Sequence, residues 1–174
     1  LEGYLKKMPA VEKLKIRGDM LEHDAVGQAV EQSGHQAIMI SEEDLLKSLD
    51  TTLRKKPNTG PVWVFGYGSL IWNPMLEYVT KRPARIRGYH RGFYCWSRIN
   101  RGSPENPGLV LALDRGGSCR GLAYELSTES VKKELLILWR REMLGKVYVP
   151  KWVRAETQEG YVDAITFVID RSSA

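Results

Sequence analysis

From Ser41 onward the apolar positions fall into regular spacings. Leu45, Leu46, Leu49 and Leu53 recur at intervals that place them on one helix face, and Ser41 with Asp44 three residues on forms a capping box. A short amphipathic helix is predicted at about 41–54. Lys55-Lys56-Pro57-Asn58-Thr59-Gly60-Pro61 then interrupts the chain, and the pattern turns to β-rich runs. Strands are predicted at Val62 to Phe65, Ala84 to Tyr89, Phe93 to Arg98, Leu109 to Leu113, Gly121 to Leu126, Val147 to Arg154 and Val162 to Ile169. Glycine or proline clusters separate several of them. A helix is predicted from about Glu129 to Met143, with Ser127 and Thr128 as N-cap candidates. Residues 1 to about 35 show no sustained period.

Many strands and few helices give an α+β fold whose sheet closes or curls strongly. Residues 1–60 are expected to form an accessory segment carrying the first helix, and residues 61–174 the catalytic domain. No internal repeat or low-complexity tract interrupts this order.

Composition narrows the class. A chain of 174 residues that is 43% hydrophobic and 27% charged holds one domain with a sizeable core, and it lacks an apolar run long enough for a bilayer-spanning helix. The start, Leu1-Glu2-Gly3-Tyr4, lacks both an initiating Met and the order of a secretory signal. The two cysteines, Cys95 and Cys119, make neither a disulfide framework nor a paired zinc motif. Together these favour a cytoplasmic protein with no membrane association. A formal charge of +5 favours anionic partners without choosing among them.

Two places carry candidate chemistry. Trp63-Val64-Phe65 runs into Gly66-Tyr67-Gly68-Ser69-Leu70, a glycine-bracketed turn at a strand end. Successive backbone N–H groups in such a turn form a concavity for a carboxylate or phosphate, and Ser69 adds a hydroxyl donor. Equally, the glycines serve a tight turn and nothing more. A dinucleotide site is excluded, because Ile71 stands where the third glycine belongs and Trp72-Asn73-Pro74 breaks the following helix.

The second place is Glu142. At 100° per residue, Val131, Leu135, Leu138 and Glu142 share one stripe, so this glutamate continues an apolar face. Poor hydration and the negative helix C-terminus both penalise its ionised form and raise its pKa, which suits a general acid and base. A structural glutamate paired with Arg141, Lys146 or Lys151 fits the same pattern.

Lys81, Arg82, Arg85, Arg87, Arg91, Arg98 and Arg101 lie among Tyr89, Phe93, Tyr94 and Trp96, with no acidic residue between Tyr78 and Pro104. A nucleic-acid platform has this composition. Strand alternation explains it more simply, with arginines facing solvent and aromatics facing the core, so no nucleic-acid partner is expected. His90, with His23 and His35 far off in sequence, gives no metal-ligand cluster and takes a structural role.

Val62-Trp63-Val64-Phe65-Gly66-Tyr67-Gly68-Ser69-Leu70-Ile71-Trp72, Asn106-Pro107-Gly108, Gly121-Leu122-Ala123-Tyr124 and Leu138-Trp139-Arg140-Arg141-Glu142 together resemble the ChaC-like family of γ-glutamylcyclotransferases, which degrade glutathione. The resemblance runs from about Val62 to Asp170. It implies a mixed β-barrel with flanking helices, a loop at Tyr67, Gly68, Ser69 and Leu70 that holds the γ-glutamyl end, and Glu142 as catalytic acid and base. Tyr148 resembles the tyrosine that follows the catalytic glutamate in relatives and is expected to touch substrate.

The implied reaction needs no metal or cofactor. Arg98 and Arg101 are further candidates for the glycine carboxylate of glutathione. γ-Glutamyl amino acids and γ-glutamylamines are alternative substrates, and a non-catalytic regulator of the same fold is the alternative outside enzymes. Family members continue into a helical C-terminal section that is not expected within residues 61–174.

Overall fold

The computed structural model describes residues 40–97, 105–143 and 146–172. Helix α1 (Glu42–Arg54) begins where the capping box places it, with Ser41 Oγ accepting from the Asp44 N–H at 3.1 Å. Strand β1 (Trp63–Gly66) follows, then a 3-10 turn (Ser69–Ile71), β2 (Thr80–Ser97), β3 (Gly108–Glu125), α2 (Val131–Glu142), β4 (Tyr148–Thr157) and β5 (Gly160–Ile169).

The five strands close into a mixed barrel in the order β1-β3-β2-β4-β5. β1 lies antiparallel to β3, with Phe65 opposite Ala123, and parallel to β5, with Val64 opposite Ile165. It is buried on both faces, which is why it reads as an unbroken apolar run. Trp63 and Phe65 point into the barrel with Ile86, Leu113, Ala155 and Ala164. Val64 points out to a second core shared with the helices, among Leu49, Leu135, Leu138, Trp139 and Phe167.

Several sequence expectations are corrected. The predicted pairs 84–89 with 93–98, and 109–113 with 121–126, are two continuous strands. Their glycines bend them instead of ending them: Gly88, Gly116 and Gly117 adopt φ of 82°, 99° and 65°, and the β2–β3 register shifts between Arg87 and Tyr89. The N-cap of α2 is Ser130, while Ser127 Oγ accepts from the Glu129 N–H in the preceding turn. Phe93 and Trp96 are 62% and 66% exposed, so aromatic residues of β2 do not all turn inward. At least three of its arginines are engaged within the fold: Arg82 pairs with Glu159 at 2.7 Å, Arg87 with Glu156 at 3.4 Å, and Arg91 bonds to the chain after β1. Cys95 and Cys119 are free and buried. Among the described residues, no helix is long and apolar enough to cross a membrane, and no group of three or more metal-ligating side chains occurs.

Candidate active site

The glycine loop leaves the end of β1 and is fixed from several sides. Tyr67 turns its ring into the barrel, where its hydroxyl donates to Phe167 O at 3.0 Å, and its own carbonyl accepts from Arg91 Nη1 at 2.6 Å. Leu70 is buried, and its carbonyl accepts from the Tyr124 hydroxyl at 2.7 Å. The two glycines differ in purpose. A Cβ on Gly66 would lie 2.8 Å from the Leu70 Cβ, so the missing side chain lets the loop fold back on its strand. A Cβ on Gly68 would meet nothing within 4 Å, which leaves open space beside the loop.

The first bond of the 3-10 turn runs from the Ile71 N–H to Gly68 O at 3.0 Å. The N–H groups of Ser69 and Leu70 therefore have no acceptor within the turn. Two adjacent donors beside open space, with the Ser69 hydroxyl next to them, make a fitting cradle for a carboxylate.

Glu142 ends α2 on the stripe that buries Leu135 and Leu138, and its side chain is 17% exposed. Burial raises its carboxyl above the ordinary value, and the neighbouring Arg141 guanidinium opposes that rise, with Nε 3.2 Å from Glu142 Oε1. The ion pair expected of a structural glutamate is thus present together with the desolvation expected of a catalytic one.

Arg141 also donates from Nη2 to Ser69 Oγ at 2.7 Å and from Nη1 to Asn73 O at 2.8 Å, which brings the helix end and the loop together. Tyr67 and Tyr148 sit within electrostatic reach of Glu142. Burial raises both phenols first, followed by the proximity of Tyr148 for Tyr67 and of Cys95 for Tyr148, and then by the glutamate's charge. The Tyr148 hydroxyl donates to Leu111 O at 3.2 Å.

The expected residues Tyr67, Gly68, Ser69, Leu70, Glu142 and Tyr148 accordingly fall in one region, where two helix and barrel cores meet. Arg98 and Arg101 lie outside the described residues. Sequence reasoning missed two supports, Arg91 beneath the Tyr67 carbonyl and Glu134 beneath the segment after the loop. Glu134 is 2% exposed, and its carboxylate accepts from the Glu77 N–H at 2.9 Å. Its signal was present, since Glu134 adjoins the stripe residue Leu135 and lies eight positions before Glu142.

A closed five-stranded barrel with helices on one flank and a loop leaving its shortest strand is the γ-glutamylcyclotransferase-type fold. It is shared with the crystal structure of a selenomethionine-labelled γ-glutamyl cyclotransferase specific to glutathione from yeast, with a TM-score of 0.55 and 22% identity over 63% of this chain and 69% of that one. Residues 62–174 match the model of the ChaC-like protein family, and the chain belongs to that family.

Among its relatives, the glutathione-specific γ-glutamylcyclotransferase of Escherichia coli (strain K12) is 41% identical over 136 residues, 78% of this chain and 59% of the relative. The glutathione-specific γ-glutamylcyclotransferase 1 of Homo sapiens is 39% identical over 100 residues, 56% of this chain and 45% of the relative. The chain thus spans about half the length of the curated relatives it matches.

Proposed function

We propose that this chain is a γ-glutamylcyclotransferase that converts glutathione to 5-oxoproline and Cys-Gly, with Glu142 as the proton carrier. The supporting observation is the desolvated Glu142 carboxyl tied through Arg141 to Ser69 of the loop. The names of the E. coli and human relatives support the choice of substrate.

In the proposed reaction the nucleophile belongs to the substrate. The N–H groups of Ser69 and Leu70, which have no acceptor within the turn, and the Ser69 hydroxyl hold the α-carboxylate in the space beside Gly68, so that the α-amino group folds back on the γ-carbonyl. Glu142 takes a proton from the α-ammonium, and the freed amine attacks the γ-carbonyl carbon. The new C–N bond closes a five-membered lactam as the old one breaks. The α-nitrogen gives up two protons and the departing nitrogen gains two, so Glu142 ends in its starting state.

Incubation with glutathione is expected to yield 5-oxoproline and Cys-Gly in equal amounts, and turnover should exceed that of γ-glutamylalanine. Glu142→Gln keeps the shape and removes the proton acceptor, so kcat falls by about 10²- to 10⁴-fold while glutathione binding persists. Intact glutathione after incubation with folded protein overturns the proposed activity. Wild-type turnover by Glu142→Gln removes Glu142 from it.

A further inference from the structure

Arg141 stands on the last turn of α2, and its side chain is 12% exposed. Its three nitrogens have separate tasks: Nη2 meets Ser69 Oγ at 2.7 Å, Nη1 meets Asn73 O at 2.8 Å, and Nε lies 3.2 Å from Glu142 Oε1. Removing a guanidinium from water costs free energy that only well-placed acceptors offset. Here those acceptors belong to both ends of the loop's turn and to the glutamate. A lysine ammonium cannot span them, because it lacks the rigid planar fork.

We propose that Arg141 is the positioning residue of this site: a single guanidinium locks the Ser69 loop to the end of α2 and holds the Glu142 carboxylate in place as an ion pair. This rests on the reading of Glu142 as proton carrier. Arg141 acts on that carboxylate from its own helix, and Tyr67 from the loop after β1 and Tyr148 from β4 stand within reach of its charge. Burial keeps both phenols neutral, which leaves the guanidinium as the charge that opposes desolvation of Glu142 among the described residues.

That balance matters, since a base must be ionised to accept a proton and weakly enough ionised to return it. The second contact works on the ligand side. Because Ser69 Oγ accepts from Arg141, the serine hydrogen is turned away from the guanidinium and is available to an anionic ligand.

Arg141→Gln and Arg141→Lys separate the two roles. Each is checked for folding by its melting temperature, then assayed for kcat and KM with glutathione across pH. The Glu142 carboxyl is also titrated by ¹³C NMR in the resting protein, as the signal that disappears in Glu142→Gln. In Arg141→Gln the carboxyl titration and the acid limb of kcat/KM both move to higher pH, and kcat/KM falls by up to about 100-fold.

In Arg141→Lys the charge stays, so Glu142 titrates near its wild-type position while KM rises because the fork to Ser69 and Asn73 is gone. A folded Arg141→Gln whose Glu142 titrates as in wild type overturns the proposal, as does a wild-type KM in Arg141→Lys. If Arg141→Gln does not fold, the KM of Arg141→Lys decides. The resting-state titration needs no turnover: inactivity of the wild-type protein toward glutathione refutes the proposed activity, while the shift in Arg141→Gln still reports the hold of Arg141 on Glu142.

Discussion

Glu142 occupies a position that stability alone would not select. Its carboxyl is raised above the ordinary value chiefly by burial, so the folded state binds its proton more tightly than the unfolded chain does. The stability it contributes is full below the unfolded pKa and is lost as pH rises through the raised folded one. Near neutral pH the wild-type protein therefore carries a penalty that Glu142→Gln, which cannot ionise, escapes. Melting curves across pH are expected to show the variant more stable than wild type near neutrality, with the difference closing below about pH 4. Stability lost in the variant at neutral pH would mean that the Arg141 pair outweighs desolvation. At this scale the sequence was informative because one acid interrupting the stripe of Leu135 and Leu138 is an anomaly that helix geometry exposes. Arg141 was legible only as a neighbour of Glu142, since its bonds to Ser69 and Asn73 span about 70 positions and leave no local pattern.

Among the elements, α1 lies outside the family match, which begins at residue 62, and yet it is built into the core of that match. Leu45 and Leu49 are buried against α2, Trp139 Nε1 donates to Ser48 Oγ at 3.3 Å, and Trp152 Nε1 donates to Thr52 O at 2.8 Å. Arg140 adds an ion pair to Glu42 at 2.7 Å. Leu49→Ala is expected to cost about 2–5 kcal/mol in urea unfolding, through lost burial and the cavity left behind. A loss within a few tenths of a kcal/mol would instead make α1 an appendage. The leucine spacing revealed the helix and most of its buried face, although Leu46 is 43% exposed, and it did not reveal that α2 was the partner. The long β2 and β3 were harder to read, because bulge glycines and chain breaks look alike until the neighbouring strand is in view.

For the whole molecule, closure depends on how near β3 comes to β1. A Cβ on Gly121 would lie 2.2 Å from Gly66 O and 2.8 Å from the Phe65 ring, so glycine there sets the spacing at the base of the loop. Gly121→Ala should cost about 1–3 kcal/mol by forcing these strands apart, measurable as a lower urea midpoint. The loop is fastened on its other side by β5, through Tyr67 Oη to Phe167 O and Thr166 Oγ1 to Phe65 O, each at 3.0 Å and about 100 residues along the chain. On a ribosome adding about 5–20 residues per second, those partners emerge roughly 5–20 s after the loop does. Until β3 emerges a nascent chain carries an apolar β1 with neither edge paired, and until β5 follows one edge stays open and the loop lacks half of its fastening. Of the described strands, the one translated last is thus the one that completes the fastening of the loop after the first.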